Sequence, residues 1–136
     1  MKRAAQTGFT LIEMIITVLI VSVLAAIALP AYQSMVVKSN RTEARAMLSD
    51  TAQRLQRCFS SYGRYNSANC GVHEKVKAVD GVISEGAGFY KITFASVAAT
   101  QFQLKAEAIK TPQLNDDPCK EMFLASTGER TPAACW

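Results

Sequence analysis

The chain has a single histidine, His73, and that scarcity removes most of the catalytic repertoire. A nucleophilic serine needs a base within hydrogen-bond reach, and no other histidine is present to serve one. Neither H-E-x-x-H, a nucleophile elbow nor a phosphate loop occurs. Gly86-Ala87-Gly88 lacks the further glycine and the helix that a dinucleotide loop requires, so it reads as a turn. His73 alone cannot ligate a metal and reads as a surface histidine. Asp116-Asp117 ahead of Pro118 supplies too few of the six to eight oxygen ligands that calcium takes, so this pair reads as a solvated loop. No catalytic residue, metal or cofactor is expected, and the chain does not read as an enzyme.

Strong charge is missing too. The formal net charge is +4 at pH 7, and Lys2 and Arg3 at the extreme N-terminus carry two of those units. The remainder is too small to imply a nucleic-acid partner by itself. Lys38, Arg41, Arg45, Arg54, Arg57 and Arg64 do outnumber Glu43 and Asp50 along one predicted helix. Single-strand binding would also want aromatic rings for base stacking. Tyr62 and Tyr65 are the candidates, and the helical pattern puts Tyr62 on the core side. Phospholipid headgroups or neighbouring helices can claim Lys38 to Arg45. A DNA-receptor role is therefore the second functional class and not the favoured one.

The four cysteines, Cys58, Cys70, Cys119 and Cys135, form no C-x-x-C pair. Zinc spacing is thus absent, and an even count in an exported domain reads as disulfides. Three pairings are possible. Cys58–Cys70 and Cys119–Cys135 are favoured because each closes a short local loop, and bridges of that size contribute about 3 kcal/mol in the chain-entropy model.

What the chain does have is a long apolar run. From Met14 to Leu29 only Thr17 and Ser22 are polar. With Phe9 to Ile12 added, the run reaches the roughly 20 residues needed to cross a bilayer. One carboxylate, Glu13, stands near its start. A carboxylate at mid-bilayer costs about 2.5 to 3.5 kcal/mol on the mildest insertion scale, so Glu13 either snorkels to the surface or has a partner.

Gly8-Phe9-Thr10-Leu11-Ile12-Glu13, with the basic leader before it and the apolar helix after it, resembles the processing signal of type IV prepilins. The type II secretion pseudopilins share it. The likeness runs on through Pro30-Ala31-Tyr32 into the next helix. It implies cleavage between Gly8 and Phe9 by a prepilin peptidase, which also N-methylates Phe9. It further implies assembly through the N-terminal helix with other pilins, after storage in the inner membrane with the domain in the periplasm. Inner-membrane assembly machinery and the lipid bilayer are the other implied partners. Within a bundle of such helices, Glu13 of one subunit could accept a hydrogen bond from the Phe9 amine of its neighbour, because an unpaired buried charge is costly. An ordinary secretory signal cut after Ala26-Ile27-Ala28, leaving Leu29 first, is the rival reading. The carboxylate inside the apolar region speaks against it.

The expected organisation is a leader over 1–8, a membrane and assembly helix over 9–30, and a globular domain over 31–136. Pro30 removes a backbone donor and predicts a kink or loosening. In the family it resembles a place where the helix unwinds inside a fibre. Ala44, Leu48, Thr51, Ala52, Leu55, Phe59 and Tyr62 recur at three- and four-residue steps, which predicts an amphipathic helix over 31–62 that Gly63 stops. Asp50 and Arg54 are ordered for an i,i+4 pair. A connecting loop follows over 63–88, with Lys75 to Val79 as a short strand or turn and Asp80-Gly81 as a turn.

Alternation then predicts an antiparallel sheet over 89–136. Its strands are Phe89–Phe94, Gln101–Ile109 and Lys120–Ser126, with Ala95–Thr100 turning the first hairpin. The fold class is α+β, the type IV pilin fold by resemblance: a long N-terminal helix, its first half transmembrane, on a small disulfide-bonded antiparallel sheet. The carboxyl end, from Cys119 through Gly128 to Cys135-Trp136, resembles minor pilins of the PilE type. The resemblance thus implies a minor pilin of a fibre serving twitching motility, adhesion or DNA uptake.

Overall fold

The computed structural model describes residues 8–116 and 118–136; the basic leader up to Thr7 and Asp117 of the candidate calcium pair lie outside them. The element order is helix α1 (Leu11–Tyr62), helix α2 (Gly71–Lys77), strands β1 (Val82–Ile83), β2 (Tyr90–Val97) and β3 (Phe102–Ala108), helix α3 (Gln113–Asp116), and strands β4 (Glu121–Ala125) and β5 (Arg130–Thr131). A short 3-10 turn, Ala133–Cys135, closes the chain. Two compact units result, one ending at Val36 and the other running from Val37 to Trp136.

Over its described residues the N-terminal unit is a largely apolar helix with most side chains exposed; Leu11, Ile15, Leu19, Leu24 and Leu29 are all more than half exposed. It is long and apolar enough to cross a membrane. Two polar side chains inside the apolar run are satisfied within the helix. Thr17 Oγ1 donates to the Met14 carbonyl at 2.9 Å and Ser22 Oγ to the Leu19 carbonyl at 2.8 Å, so neither presents an unmet donor to lipid. Pro30 lies inside α1 and does not end it. The ring still removes one N–H from the ladder, leaving the carbonyl four residues back without its helical donor.

In the second unit α1 buries Ala44, Leu48, Thr51, Ala52 and Leu55, the stripe that three- and four-residue spacing sets on one face. The helix ends at Tyr62, and Gly63 follows with φ of 68°, the left-handed stop that glycine adopts without a Cβ penalty. Tyr62 itself departs from the expectation, being 46% exposed. Its place over the core is taken by Tyr65, which stacks on Phe59 with ring centroids 4.6 Å apart and meets Phe102 edge-on at 4.8 Å. Once the chain turns at Gly63, the loop delivers the ring that helical periodicity had assigned to Tyr62.

The sheet is a five-stranded antiparallel meander in the order β1-β2-β3-β4-β5. Tyr90 and Ile92 of β2, Phe102, Leu104, Ala106 and Ala108 of β3, and Met122 and Leu124 of β4 are buried together with the α1 stripe. The alternation expected for β3 and β4 therefore holds. Two sequence readings need correction. Lys75 to Lys77 belong to helix α2, and the segment read as connecting loop also carries β1. Seven and two residues are too short to leave a readable period. The first hairpin is also tighter than expected, because β2 extends to Val97 through a register shift between Phe94 and Ser96. At the mouth of β1, Gly81 has φ of 56°, and a Cβ there would run into the Ile92 carbonyl oxygen, so glycine is required on both counts.

Disulfides join Cys58 to Cys70, with Cα atoms 5.6 Å apart, and Cys119 to Cys135, 5.7 Å apart. The first ties the last turns of α1 to the start of α2. The second pins the C-terminal turn beside the start of β4.

Leu48 is fully buried at the centre of this core. Leu48→Ala should cost about 2 to 5 kcal/mol of unfolding free energy. Urea denaturation of the full chain in detergent, followed by fluorescence of the half-buried Trp136, measures it. A loss under about 1 kcal/mol would mean that this stripe is not the seam between α1 and the sheet.

Candidate functional site

At the N-terminus the sequence places Thr10 just before the helix and Glu13 three residues later. Thr10 Oγ1 accepts from the Glu13 amide at 3.3 Å. In return, Glu13 Oε2 accepts from the Thr10 amide at 2.8 Å and from the Thr10 hydroxyl at 2.9 Å. This is a reciprocal capping box: each side chain satisfies a backbone donor that the helix start leaves open. A carboxylate in the first turn also faces the positive end of the helix dipole. Glu13 thus has a partner within its own chain, a role absent from the sequence reading although T-x-x-E before an apolar run is its signature.

Gly8 and Phe9 are the described residues ahead of that box. Phe9 is 87% exposed. A Cβ added to Gly8 would meet nothing within 4 Å among the described residues, so crowding does not explain glycine at that position.

The other concentration of chemistry lies where α1 ends. Arg54 pairs with Asp50 at 2.7 Å as the spacing predicted, with both side chains exposed. Arg57, Tyr62 and Arg64 are exposed along the last turns and the stop. The Cys58–Cys70 bridge brings in α2, which bears exposed Lys75 and Lys77. Its remaining face turns inward, and His73 with it. That histidine is only 4% exposed, which corrects the surface reading. Helix α2 points His73 and Val76 at the sheet, and the ring lies 5.5 Å from that of Phe94 while Nδ1 meets Glu74 Oε1 at 3.0 Å. Beside it runs an open groove of about 530 Å³, lined by residues that include Asn66, His73, Lys77, Thr93 and Phe94. Among the described residues no group of three or more histidine, cysteine or acidic side chains could hold a metal ion.

The described chain is thus an apolar, capped helix followed by a disulfide-bonded α+β head. Comparison with known proteins supplies the family. Residues 30–123 match the family described as type IV minor pilin ComP, DNA uptake sequence receptor. Residues 3–29 match the prokaryotic N-terminal methylation motif. The fimbrial protein EcpC of Eikenella corrodens is 35% identical over 104 residues, covering 74% of this chain and 68% of that protein. The type IV major pilin protein PilE1 of Neisseria gonorrhoeae is 36% identical over 69 residues, 49% of this chain and 42% of its own length. Among solved structures, a type IV pilin from Shewanella oneidensis superposes with a TM-score of 0.52 at 25% identity, covering 74% of this chain and 97% of that one.

The chain belongs to the type IV pilin family. It is a structural pilus subunit, not an enzyme, and pilins assemble with other pilins. Its apolar N-terminal helix suits it to membrane anchoring and to a place in the pilus.

Replacing Thr10 by valine keeps the shape but removes the hydroxyl. Thr10→Val should cost the N-terminal turn about 0.5 to 2 kcal/mol, the usual value of a lost cap. Amide exchange at residues 10–13 in micelles would accelerate while residues 17–27 stay unchanged. Unchanged exchange at Glu13 would show that the box contributes nothing there.

Proposed function

We propose that the chain is a minor pilin, cut between Gly8 and Phe9 by a prepilin peptidase that then methylates the Phe9 amine. The absence of crowding at Gly8 among the described residues supports this: a glycine that they do not require is accounted for by an enzyme that reads it. Before assembly the subunit sits in the inner membrane as a single span with its head in the periplasm, and assembly machinery draws it into the fibre. There the amine of a neighbouring Phe9 joins or displaces Thr10 at Glu13. A charge-assisted bond away from water outweighs the neutral one it replaces. Motility and adhesion are further outputs of such a fibre.

Within that role, the head contacts DNA during uptake. The observation that carries this reading is Tyr62, a 46% exposed ring with Arg57 and Arg64 close by in the chain. The sequence reading gave DNA little weight because it placed that ring in the core. An exposed tyrosine among guanidinium groups provides both a surface for a base or sugar and charge for phosphates. The match to a family described as a DNA uptake sequence receptor supports the same reading.

Two experiments test it. Glu13→Ala should leave a mature N-terminus at Phe9 by mass spectrometry yet fail to enter sheared fibres; normal incorporation removes Glu13 from the assembly role. For DNA, the full chain in nanodiscs is titrated with a labelled duplex across a salt series. Arg57→Glu/Arg64→Glu should weaken binding at least about tenfold and lower the salt slope by about two. An unchanged slope would leave the chain a pilin whose DNA contact, if any, lies elsewhere.

A further inference from the structure

The first hold of the head on α1 is polar. From Ala31 to Ser39 no residue of the helix is buried, and Asn40, at 8% exposure, is the first that is. The apolar stripe begins only at Ala44. Across from this start lies Gln113, the first residue of α3 and completely buried. Its Nε2 donates to the Val37 carbonyl at 3.3 Å, a bond between residues 76 apart in sequence. Val37 is also where the head unit begins. That carbonyl sits in mid-helix, and its second lone pair lets it take the amide in addition to its helical donor. Gln113 Oε1 and Asn40 Nδ2, an acceptor and a donor, are both buried without a hydrogen-bond partner among the described residues.

We propose that Gln113, with Asn40 and the Val37 carbonyl, forms a latch that fixes where α1 can loosen and where it cannot. Apolar contacts tolerate sliding, whereas a hydrogen bond is lost within a fraction of an ångström beyond its range, so the latch is either closed or open. On its N-terminal side, two helical turns separate it from Pro30, where the ladder already lacks a donor. No side chain in those turns is buried. On its C-terminal side lies the packed stripe from Ala44 onward. Loosening that spreads from Pro30 therefore stops at Val37 unless Gln113 lets go. The two unmet amide atoms keep the latch close to its opening point, because buried polar atoms without partners favour a state in which water reaches them. The inference concerns the head's grip on its own helix and stands whether or not the head contacts DNA.

Amide exchange at single-residue resolution tests this on the full chain in nanodiscs. Wild type should show a sharp step, with fast exchange at residues 31–36 and protection beginning near Arg41. Gln113→Leu should raise exchange over residues 38–43 about tenfold while residues 48–55 and β3 stay within about twofold, as expected of a local opening. Asn40→Leu/Gln113→Leu should be no faster than Gln113→Leu alone, because groups in one unit do not act additively. Unchanged exchange at 38–43 overturns the latch. So does a rise spread evenly through β3, which would make Gln113 a general packing residue, and so does strict additivity in the double variant.

Discussion

A single helix has to satisfy two solvents, and most of the structure follows from that. Before Val37 most side chains of α1 are exposed and apolar, so their favourable surroundings are lipid or other helices like this one. After it the same helix needs one apolar stripe for a sheet and a polar back for water. The backbone passes between these regimes without a break. Every adjustment is made by side chains: Thr17 and Ser22 turned onto their own carbonyls, Glu13 folded back on Thr10, and Asn40 set down where the head begins. An apolar helix of this kind is a liability anywhere but in a membrane or a bundle, which is why a family of polymerising subunits can use it.

The head meets the opposite difficulty. It is small, so its core needs help from cross-links. Both disulfides sit at ends of elements, at the last turns of α1 and at the C-terminal turn. There they fasten the ends of elements to the core, in which Cys70, Cys119 and Cys135 are themselves buried. Around the first of them the chain gathers an exposed tyrosine, several cations and the short helix α2. A surface assembled from three different segments varies easily while the sheet behind it stays the same.

Long periodic elements were legible in advance. The α1 stripe from Ala44 to Leu55 and the alternation of Phe102, Leu104, Ala106 and Ala108 are repeated signals, and each repeat reinforces the others. Gly63 was legible as well, because a stop needs only a residue that tolerates positive φ. The sequence failed where a feature rests on one or two residues. Helix α2 spans about two turns, and β1 pairs only Val82 and Ile83, so neither has a period. Tyr62 and Tyr65 lie on either side of the stop, and only the path of the loop decides which ring faces the core. His73 was misplaced because its burial depends on α2. The capping box at Thr10 and Glu13 was in plain view but was overshadowed by the larger question of a charge in an apolar run. Gln113 left no trace at all, since nothing local distinguishes a buried glutamine from an exposed one.

The bridges pair cysteines in the order in which they occur along the chain, at separations of 12 and 16 residues. A polypeptide synthesised N-terminus first therefore holds both Cys58 and Cys70 while the later two are still to be added. The first partners to meet are the correct ones, so oxidation in order of appearance needs no reshuffling. The meander has the same property, each strand adding to the one before it. Cross-links and strand pairings can therefore form in the order in which the chain is made, while the packing of α1 waits for β3, β4 and Gln113.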